Sequence, residues 1–326
     1  MRLKTRLTAK LGILHPILLA PMNVFAGGRL AAAVSAAGGL GIIGGGYGDA
    51  DWLERQFAAA GSARVGCGFI TWSMARDPKL LEMVLARQPA ALMLSFGELE
   101  PHASRVKARG VPLICQVQGM KYLREAVAAG ADIIVAEGCE AGGHSGYRGV
   151  FTLVPEAADY LAEFAPDTVL VAAGGVGDGR GLAAALMLGA DGVLVGTRFV
   201  ACQESEAPEG LRQAIIRADG DSTMKSTSVD VARRRYWPNP EFVIRVLKNS
   251  FVAKWHGRDR ELENAIDVEY QRFWDAFKAG DADNTGVLLG EVSGIIRDTP
   301  PAAQIVKDMV AQACQLLGPR SPYVAG

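Results

Sequence analysis

The sequence predicts an α/β fold, a (β/α)8 TIM barrel with a small helical cap inserted after the eighth strand. Eight short apolar runs alternate with longer alanine-rich helical patterns before residue 200, which is typical of a parallel sheet covered by helices. Eight such units close naturally into a barrel, and no dinucleotide-binding fingerprint follows the first run. The alternative is an open, doubly wound sheet.

The predicted elements follow each other in a regular order along the chain. The strands are predicted at Ile17–Ala20, Leu40–Ile43, Val65–Ile70, Ala91–Ser95, Leu113–Val117, Ile133–Ala136, Val169–Ala172 and Val193–Val195. The helical patterns between them are Leu30–Ala37, Asp51–Ala60, Pro78–Ala86, Leu99–Arg109, Lys121–Ala129, Pro155–Phe164 and Gly181–Leu188.

The pattern changes after residue 200. The stretch from Ala207 to Pro240 is polar, and further helices are predicted at Glu241–Lys254, Glu261–Lys278 and Pro301–Leu317. We therefore expect three segments: a barrel over residues 1–205, a cap and substrate region over 206–297, and a C-terminal helix within 298–326 that returns to the barrel.

Composition excludes several classes of function. The 326 residues are 49% hydrophobic, with 34 Lys and Arg against 35 Asp and Glu, so neither nucleic acid nor an anionic membrane is an expected partner. The start, Met1 to Leu7, lacks the apolar core of a secretory signal, and Leu30 to Ile43 is too short and glycine-rich to span a bilayer. The five Cys are scattered without CxxC spacing, which favours reduced thiols in the cytoplasm and no metal site.

Glycine-rich segments follow the seventh and eighth predicted strands. Gly174, Gly175 and Gly177 come after strand seven and before a helix, and Gly196 and Thr197 follow strand eight. In such barrels these two loops cradle phosphate, with backbone N–H groups and a helix N-terminus as the donors. The alternative is that these glycines only make tight turns.

Two weaker signals lie at other strand ends. Pro21, Met22 and Asn23 end the first strand, and their backbone could face a flat ring, although a plain loop gives the same pattern. Gln116, at the end of strand five, is a polar side chain at the mouth of an apolar barrel. The alternative is that Gln116 is a structural residue whose hydrogen bonds are satisfied within the protein.

His144 is the strongest candidate for catalysis. It follows strand six within Gly138-Cys139-Glu140-Ala141-Gly142-Gly143-His144, where catalytic groups of barrel enzymes lie. Imidazole is well suited to proton transfer near neutral pH. The alternative is a loop imidazole bonded to backbone. Glu137 and Glu140 flank the loop, either to orient the imidazole or to form structural ion pairs. The other three His (His15, His102 and His256) are predicted at the bottom face, in a helix and in the cap.

The cap contains two further candidates. The triplet Arg233-Arg234-Arg235 is typical of a solvated face or of ion pairs, and less often of an anion site. Tyr236 and Trp237 follow it, either to cover a bound ring or to pack the core of the cap.

These motifs in this order resemble the nitronate monooxygenase family, formerly called 2-nitropropane dioxygenase. The resemblance covers essentially the whole chain and includes the His loop, both glycine loops, and the segments Pro16-Ile17 to Pro21-Met22 and Ala31 to Gly41. It implies a TIM barrel that binds FMN noncovalently. It also implies that members oxidise alkyl nitronates with O2 to carbonyl compounds and nitrite.

The resemblance also implies residue roles. The backbone of Pro21, Met22 and Asn23 would face the isoalloxazine, Gly143 would contact the flavin, and Gln116 would lie near its pyrimidine. His144 would act as catalytic base or orienting group. The phosphate would be held by Gly174, Gly175, Gly177, Gly196 and Thr197.

The chain departs from its relatives at two places. Some relatives have Lys where this chain has Gln116, and many have Gly-Val-Asn where it has Gly66-Cys67-Gly68. The superfamily also includes NAD(P)H-dependent reductases of quinones and of enoyl thioesters, so such a reductase is the alternative function. A phosphate-binding barrel without redox chemistry, such as a sugar-phosphate isomerase, is the alternative of another class.

Overall fold

The predicted barrel is confirmed by the computed structural model, which describes residues 2–318 and 324–325. Eight parallel strands form one sheet in the order 1-8-7-6-5-4-3-2, and a parallel bridge between Leu18 and Leu40 joins the first strand to the second. In chain order the strands are Ile17–Leu19, Ile42–Gly46, Gly66–Ile70, Leu92–Ser95, Leu113–Val117, Ile133–Glu137, Val169–Ala173 and Val193–Val195.

The strands are apolar on both faces because one face lines the filled barrel interior and the other packs against the outer helices. Ile114, Ile133 and Val171 belong to a cluster that fills the barrel interior, whereas the alternate residues Cys115 and Ile134 pack against the outer helices. This period of two is the side-chain alternation of a strand. The result is a filled barrel rather than a pore, so ligands can bind only at its ends.

Helices surround the barrel, and one closes its bottom. Helix Arg6–Leu11 contributes Leu7 and Leu11 to the interior cluster. Helix Ala302–Leu317 packs beside the helices after strands one and seven, in the eighth outer position. The helices between the strands are Gly28–Ala36, Ala50–Ala60, Thr71–Met74, Lys79–Ala86, His102–Ala108, Met120–Ala128, Val150–Phe164, Gly179–Met187 and Thr197–Val200, and a 3-10 turn spans Asn23–Phe25.

The cap contains strands as well as helices. Its elements are the helices Glu209–Arg217, Ser228–Ala232, Ser250–Trp255, Asp259–Asn264 and Ile266–Ala279, the strands Thr223–Lys225 and Val243–Leu247, and the 3-10 turns Gly220–Ser222 and Glu291–Ile295. The prediction that Glu241–Lys254 is one helix is wrong in its first half. Ile244 and Val246 are buried while their neighbours are half-buried, which is the alternation of a strand.

The cap is joined to the barrel by a sheet. Strand Gly143–Ser145, in the loop after barrel strand six, pairs antiparallel with cap strand Val243–Leu247, which in turn pairs with Thr223–Lys225. The polypeptide ends also meet, because Arg2–Leu3 pairs with Val324–Ala325. Of the predicted last segment, 319–323 and 326 lie outside the described residues. None of the helices in the described part of the chain has the length and apolar character needed to cross a membrane.

Candidate active site

A large cavity lies at the carboxyl ends of the barrel strands, beneath the cap. It encloses about 1450 Å3, a volume that includes its opening to solvent. Ten of the eleven residues that the sequence predicts as site residues line it: Pro21, Met22, Asn23, Gln116, Gly143, His144, Gly174, Gly175, Gly196 and Thr197.

Gly177 does not line this cavity. A Cβ on Gly177 would lie 2.5 Å from the side chain of Val292, in the turn where the cap returns to the barrel. Gly142, in the His loop, is in a similar position, because its Cβ would lie 2.5 Å from the backbone of Leu289. Both glycines are therefore explained by the close packing of the cap on the barrel.

Three other glycines leave space in the cavity itself. A Cβ on Gly143 would meet nothing within 4 Å, on Gly175 nothing closer than 3.7 Å, and on Gly196 nothing closer than 3.4 Å. Gly143 and Gly175 have φ values of +79° and +72°, which other residues rarely adopt. The cavity wall at these positions is bare backbone, so a ligand can approach it closely.

The backbone N–H groups that are free to bind an anion only partly match the prediction. The N–H groups that begin helix Gly179–Met187 already have side-chain acceptors, since Gly179 donates to Gln312 at 2.7 Å and Arg180 to Asp178 at 2.9 Å. The prediction that this helix N-terminus binds an anion is therefore wrong. Within residues 2–318, however, the N–H groups of Gly175, Val176, Gly196 and Thr197 have no acceptor in the protein. These four donors line the cavity and can bind an anionic group.

Gly68 lies close to Pro21. A Cβ on Gly68 would lie 2.6 Å from the Cβ of Pro21. The residue at this point of barrel strand three must therefore be small where the loop after strand one crosses it.

His144 is held in the cavity by the cap. It lies in strand Gly143–Ser145 opposite Ile244 of the cap strand, and its side chain is almost fully buried. Its Nε2 lies 2.7 Å from Oδ2 of Asp230, in cap helix Ser228–Ala232. With Nε2 donating to this carboxylate, Nδ1 is left without a partner among the described residues and carries the lone pair.

Asp230 is a partner of His144 that the sequence did not predict. Its other oxygen accepts from Arg233 at 2.6 Å, so one carboxylate joins the imidazole to a guanidinium. Burial raises the pKa of Asp230, but His144 and Arg233 outweigh burial and hold this pKa below its usual value. Burial lowers the pKa of His144, and Asp230 only partly opposes this change. The pair is therefore a neutral imidazole beside an ionised carboxylate at neutral pH.

Within the described part of the chain, Glu137 and Glu140 neither contact the imidazole nor form ion pairs. Glu140 accepts from the N–H of Val150 at 3.0 Å and so caps helix Val150–Phe164. Glu137 is buried at the end of barrel strand six, where Oε2 accepts from Nε2 of Gln116 at 2.9 Å and of Gln118 at 3.0 Å. Gln116 therefore lines the cavity and is also bonded to a buried carboxyl group.

Trp237 packs directly on His144. The two rings are stacked with centroids 3.5 Å apart and an interplanar angle of 18°, and Trp237 Nε1 donates to the hydroxyl of Tyr47 at 3.1 Å. Phe96 contacts Trp237 edge-on at 5.0 Å. Trp237 thus belongs to an aromatic wall of the cavity and not to the core of the cap, whereas Tyr236 is exposed and does not line the cavity.

The remaining candidates have structural partners. Within the triplet, Arg233 pairs with Asp230 and Arg234 with Asp267, which confirms the ion-pair interpretation for these two, while Arg235 lies over the ring of Tyr47. His102 begins its predicted helix, and His256 Nδ1 lies 3.1 Å from the hydroxyl of Ser226 in the cap. His144 is therefore the one histidine of the described chain that lines the cavity.

Comparison with known proteins agrees with this architecture. The family model described as nitronate monooxygenase matches residues 4–64 and 70–312. A nitronate monooxygenase of Neurospora crassa is 32% identical, over 92% of this chain and 89% of the relative. The 5-hydroxy-7a-methyl-1-oxo-octahydro-1H-indene-4-carboxyl-CoA dehydrogenase of Mycobacterium tuberculosis is 30% identical, over 99% of this chain and 100% of the relative.

A solved structure shares the whole fold. FabK from Thermotoga maritima superposes with a TM-score of 0.85 at 30% sequence identity, covering 96% of this chain and 97% of that one. The family match spans nearly the entire barrel and cap, including both glycine loops, His144 and Asp230. The chain therefore belongs to the nitronate monooxygenase family of flavin-dependent oxidoreductases.

Proposed function

We propose that the protein binds FMN in this cavity and oxidises alkyl nitronates with O2. Two nitronate anions and one O2 would give two carbonyl compounds and two nitrite ions. The observation that carries the proposal is that His144, whose Nε2 lies 2.7 Å from the buried carboxylate of Asp230, lines the same cavity as four unpaired backbone N–H groups. The cavity thus offers hydrogen-bond donors to a phosphate and an imidazole for proton transfer to a small substrate.

The cavity residues fit FMN in shape and in hydrogen-bonding capacity. Gly175, Val176, Gly196 and Thr197 would hold the phosphate through their free N–H groups, which need no cationic side chain. Gly143 and the backbone of Pro21 to Asn23 would face the ring, because the bare backbone there leaves room for a flat group. When bound, FMN would supply the reversible electron transfer that no side chain provides.

His144 would have a different role for each form of the substrate. A nitronate has already lost its α-proton, so His144 would only position it. A neutral nitroalkane would have to transfer its α-proton to Nδ1 of His144. The imidazolium formed would be stabilised by the Asp230 carboxylate at Nε2, which is ionised because Arg233 and His144 lower its pKa.

The aromatic wall would exclude water from this proton transfer. Trp237 stacks on the His144 ring and Phe96 lies edge-on to it, while the hydroxyl of Tyr47 accepts a hydrogen bond from Trp237. Exclusion of water lowers the local dielectric constant, which strengthens the interaction between imidazolium and carboxylate.

We further propose that the region 206–297 sets substrate choice, because Asp230 and Trp237 both belong to it.

The alternative function is reduction of a quinone or an enoyl thioester by NAD(P)H. It is favoured by the full-length similarity to a dehydrogenase whose name specifies a carboxyl-CoA substrate. The same cavity could serve it, with His144 giving a proton instead of taking one. Anaerobic reduction of the bound flavin separates the two functions, because a nitronate reduces it in the first case and NAD(P)H in the second.

Replacing Trp237 by alanine is expected to change the ranking of nitronates of different chain length while FMN stays bound. The reason is that Trp237 covers the face of His144 and limits the space beside it. The measurement is kcat/KM for a series of linear nitronates. The neighbouring exposed residue supplies the control, since Tyr236→Ala should leave the ranking unchanged. A parallel fall for every substrate in Trp237→Ala, or a collapse of Tm, would show that Trp237 is only a packing residue.

A further inference from the structure

Glu137 is a buried carboxyl group that has no structural role in the fold and takes no part in the proposed proton transfer. It ends barrel strand six and lines the cavity beside Gln116. Structural carboxylates that are buried normally have a cationic partner, because an isolated charge is costly to bury. Glu137 has no ion pair among the described residues.

Both hydrogen bonds that Glu137 accepts are on the same carboxylate oxygen. Both amide donors, Nε2 of Gln116 and Nε2 of Gln118, point to Oε2 at 2.9 and 3.0 Å. Oε1 has no partner within residues 2–318. Two neutral donors on one oxygen fix the orientation of the carboxyl group and leave the other oxygen available to a ligand.

The neighbouring elements favour a proton on this group. Barrel strand five and the turn directly after it supply the uncharged amides of Gln116 and Gln118, and strand seven supplies Ala173 in register with Glu137. The cationic neighbour is Lys225 of the cap, but its Nζ donates to the carbonyls of Ser145 and Gly146. Burial raises the pKa of Glu137 to about 8, although Gln118 and Lys225 oppose this shift. Glu137 is thus mostly neutral at pH 7 in the free protein.

We propose that Glu137 is a cofactor-binding residue that acts as a neutral carboxylic acid and would donate a hydrogen bond from its free oxygen to a ring carbonyl of FMN. This role rests on the proposed FMN site. Gln116 and Gln118 are positioning residues that hold the acid in place. A flavin ring carbonyl is an acceptor, so it pairs with the neutral acid and is repelled by the carboxylate.

The proposal predicts a pH-dependent affinity that a structural role would not produce. Only the neutral acid binds, so affinity is constant below the pKa of Glu137 and falls as pH rises through it. With a pKa of about 8, the Kd of the apoprotein for FMN should rise about tenfold between about pH 7 and about pH 9. Glu137→Gln keeps a donor that cannot ionise and should reduce this change to less than about twofold.

The experiment is fluorescence titration of the apoprotein with FMN across this pH range. Glu98→Gln is the matched control, because it removes an exposed carboxylate from the loop after barrel strand four and should keep the tenfold rise. An equal rise in Glu137→Gln, or a pH-independent Kd in the wild-type protein, would overturn the role of Glu137. Failure to bind FMN at any pH would instead overturn the cofactor site itself.

A second readout does not depend on FMN affinity. The infrared difference spectrum between pH 7 and pH 9 should contain the carbonyl band of a neutral carboxylic acid in the wild-type protein. The band should be absent from Glu137→Gln and present in Glu98→Gln. Its absence from the wild-type protein would mean that Glu137 does not change its protonation between pH 7 and pH 9, which contradicts the predicted pH-dependent affinity even if Glu137→Gln fails to fold.

Discussion

Replacing His144 by alanine is expected to lower the turnover of neutral nitroalkanes about 10²–10⁴-fold, the usual contribution of a general base. The turnover of the corresponding nitronates should fall far less, because they need no proton removal. His144 is suited to this role because Asp230 fixes Nε2 at 2.7 Å and leaves Nδ1 free. The measurement is kcat/KM for one compound supplied in both forms. Equal losses for both forms would contradict the assignment of His144 as the base.

The same pair makes a prediction about pH. Burial lowers the pKa of His144, so the neutral base should persist below the usual histidine range, and nitroalkane turnover should fall only as pH drops through this lowered pKa. Asp230→Asn removes the carboxylate that raises the pKa, so the acid limb should move to still lower pH while kcat decreases. Asp275, an exposed carboxylate of the cap, supplies the control. Asp275→Asn should change neither the pH of the acid limb nor kcat. Movement of the acid limb to higher pH in Asp230→Asn would contradict the proposed electrostatics.

Replacing Gly196 by leucine is expected to weaken FMN binding about 5- to 150-fold, because overpacking costs roughly 1–3 kcal/mol. Gly196 is chosen for this test because its φ of −106° lies outside the left-handed region, unlike those of Gly143 and Gly175. The added side chain would project into the cavity beside Met22. The measurement is the flavin content of the purified protein and the Kd for added FMN.

A leucine placed outside the cavity controls for stability. Gly119 follows barrel strand five with extended backbone and open space around its Cβ position. Gly119→Leu should therefore keep its FMN. Full flavin occupancy in Gly196→Leu would contradict the cofactor site.

The barrel could be predicted from the sequence because its signals are local. Each strand, such as Leu113–Val117, is a continuous apolar run between polar turns, and its bounds follow from the run itself. Glycines at the ends of strands seven and eight indicated the cavity wall in the same way. The cap strand Val243–Leu247 was missed because its side chains alternate over only five residues and a helical pattern follows directly.

The partners within the site could not be predicted, because they come from distant parts of the chain. Asp230 is 86 residues from His144, and no spacing rule relates a strand-end histidine to a carboxylate in a later cap helix. Gly179 donates its N–H to Gln312, which is 133 residues away. No local pattern therefore indicates that this N–H group already has an acceptor. Such contacts depend on the topology and not on local pattern.

The most direct test of the proposed activity is anaerobic reduction of the FMN-loaded protein, followed by stopped-flow absorbance. We expect an alkyl nitronate to bleach the flavin absorbance at least as fast as kcat, and O2 to restore it with release of nitrite. NADH and NADPH should bleach it far more slowly. Rapid bleaching by NADH or NADPH with none by nitronates would contradict the account and identify the protein as a reductase.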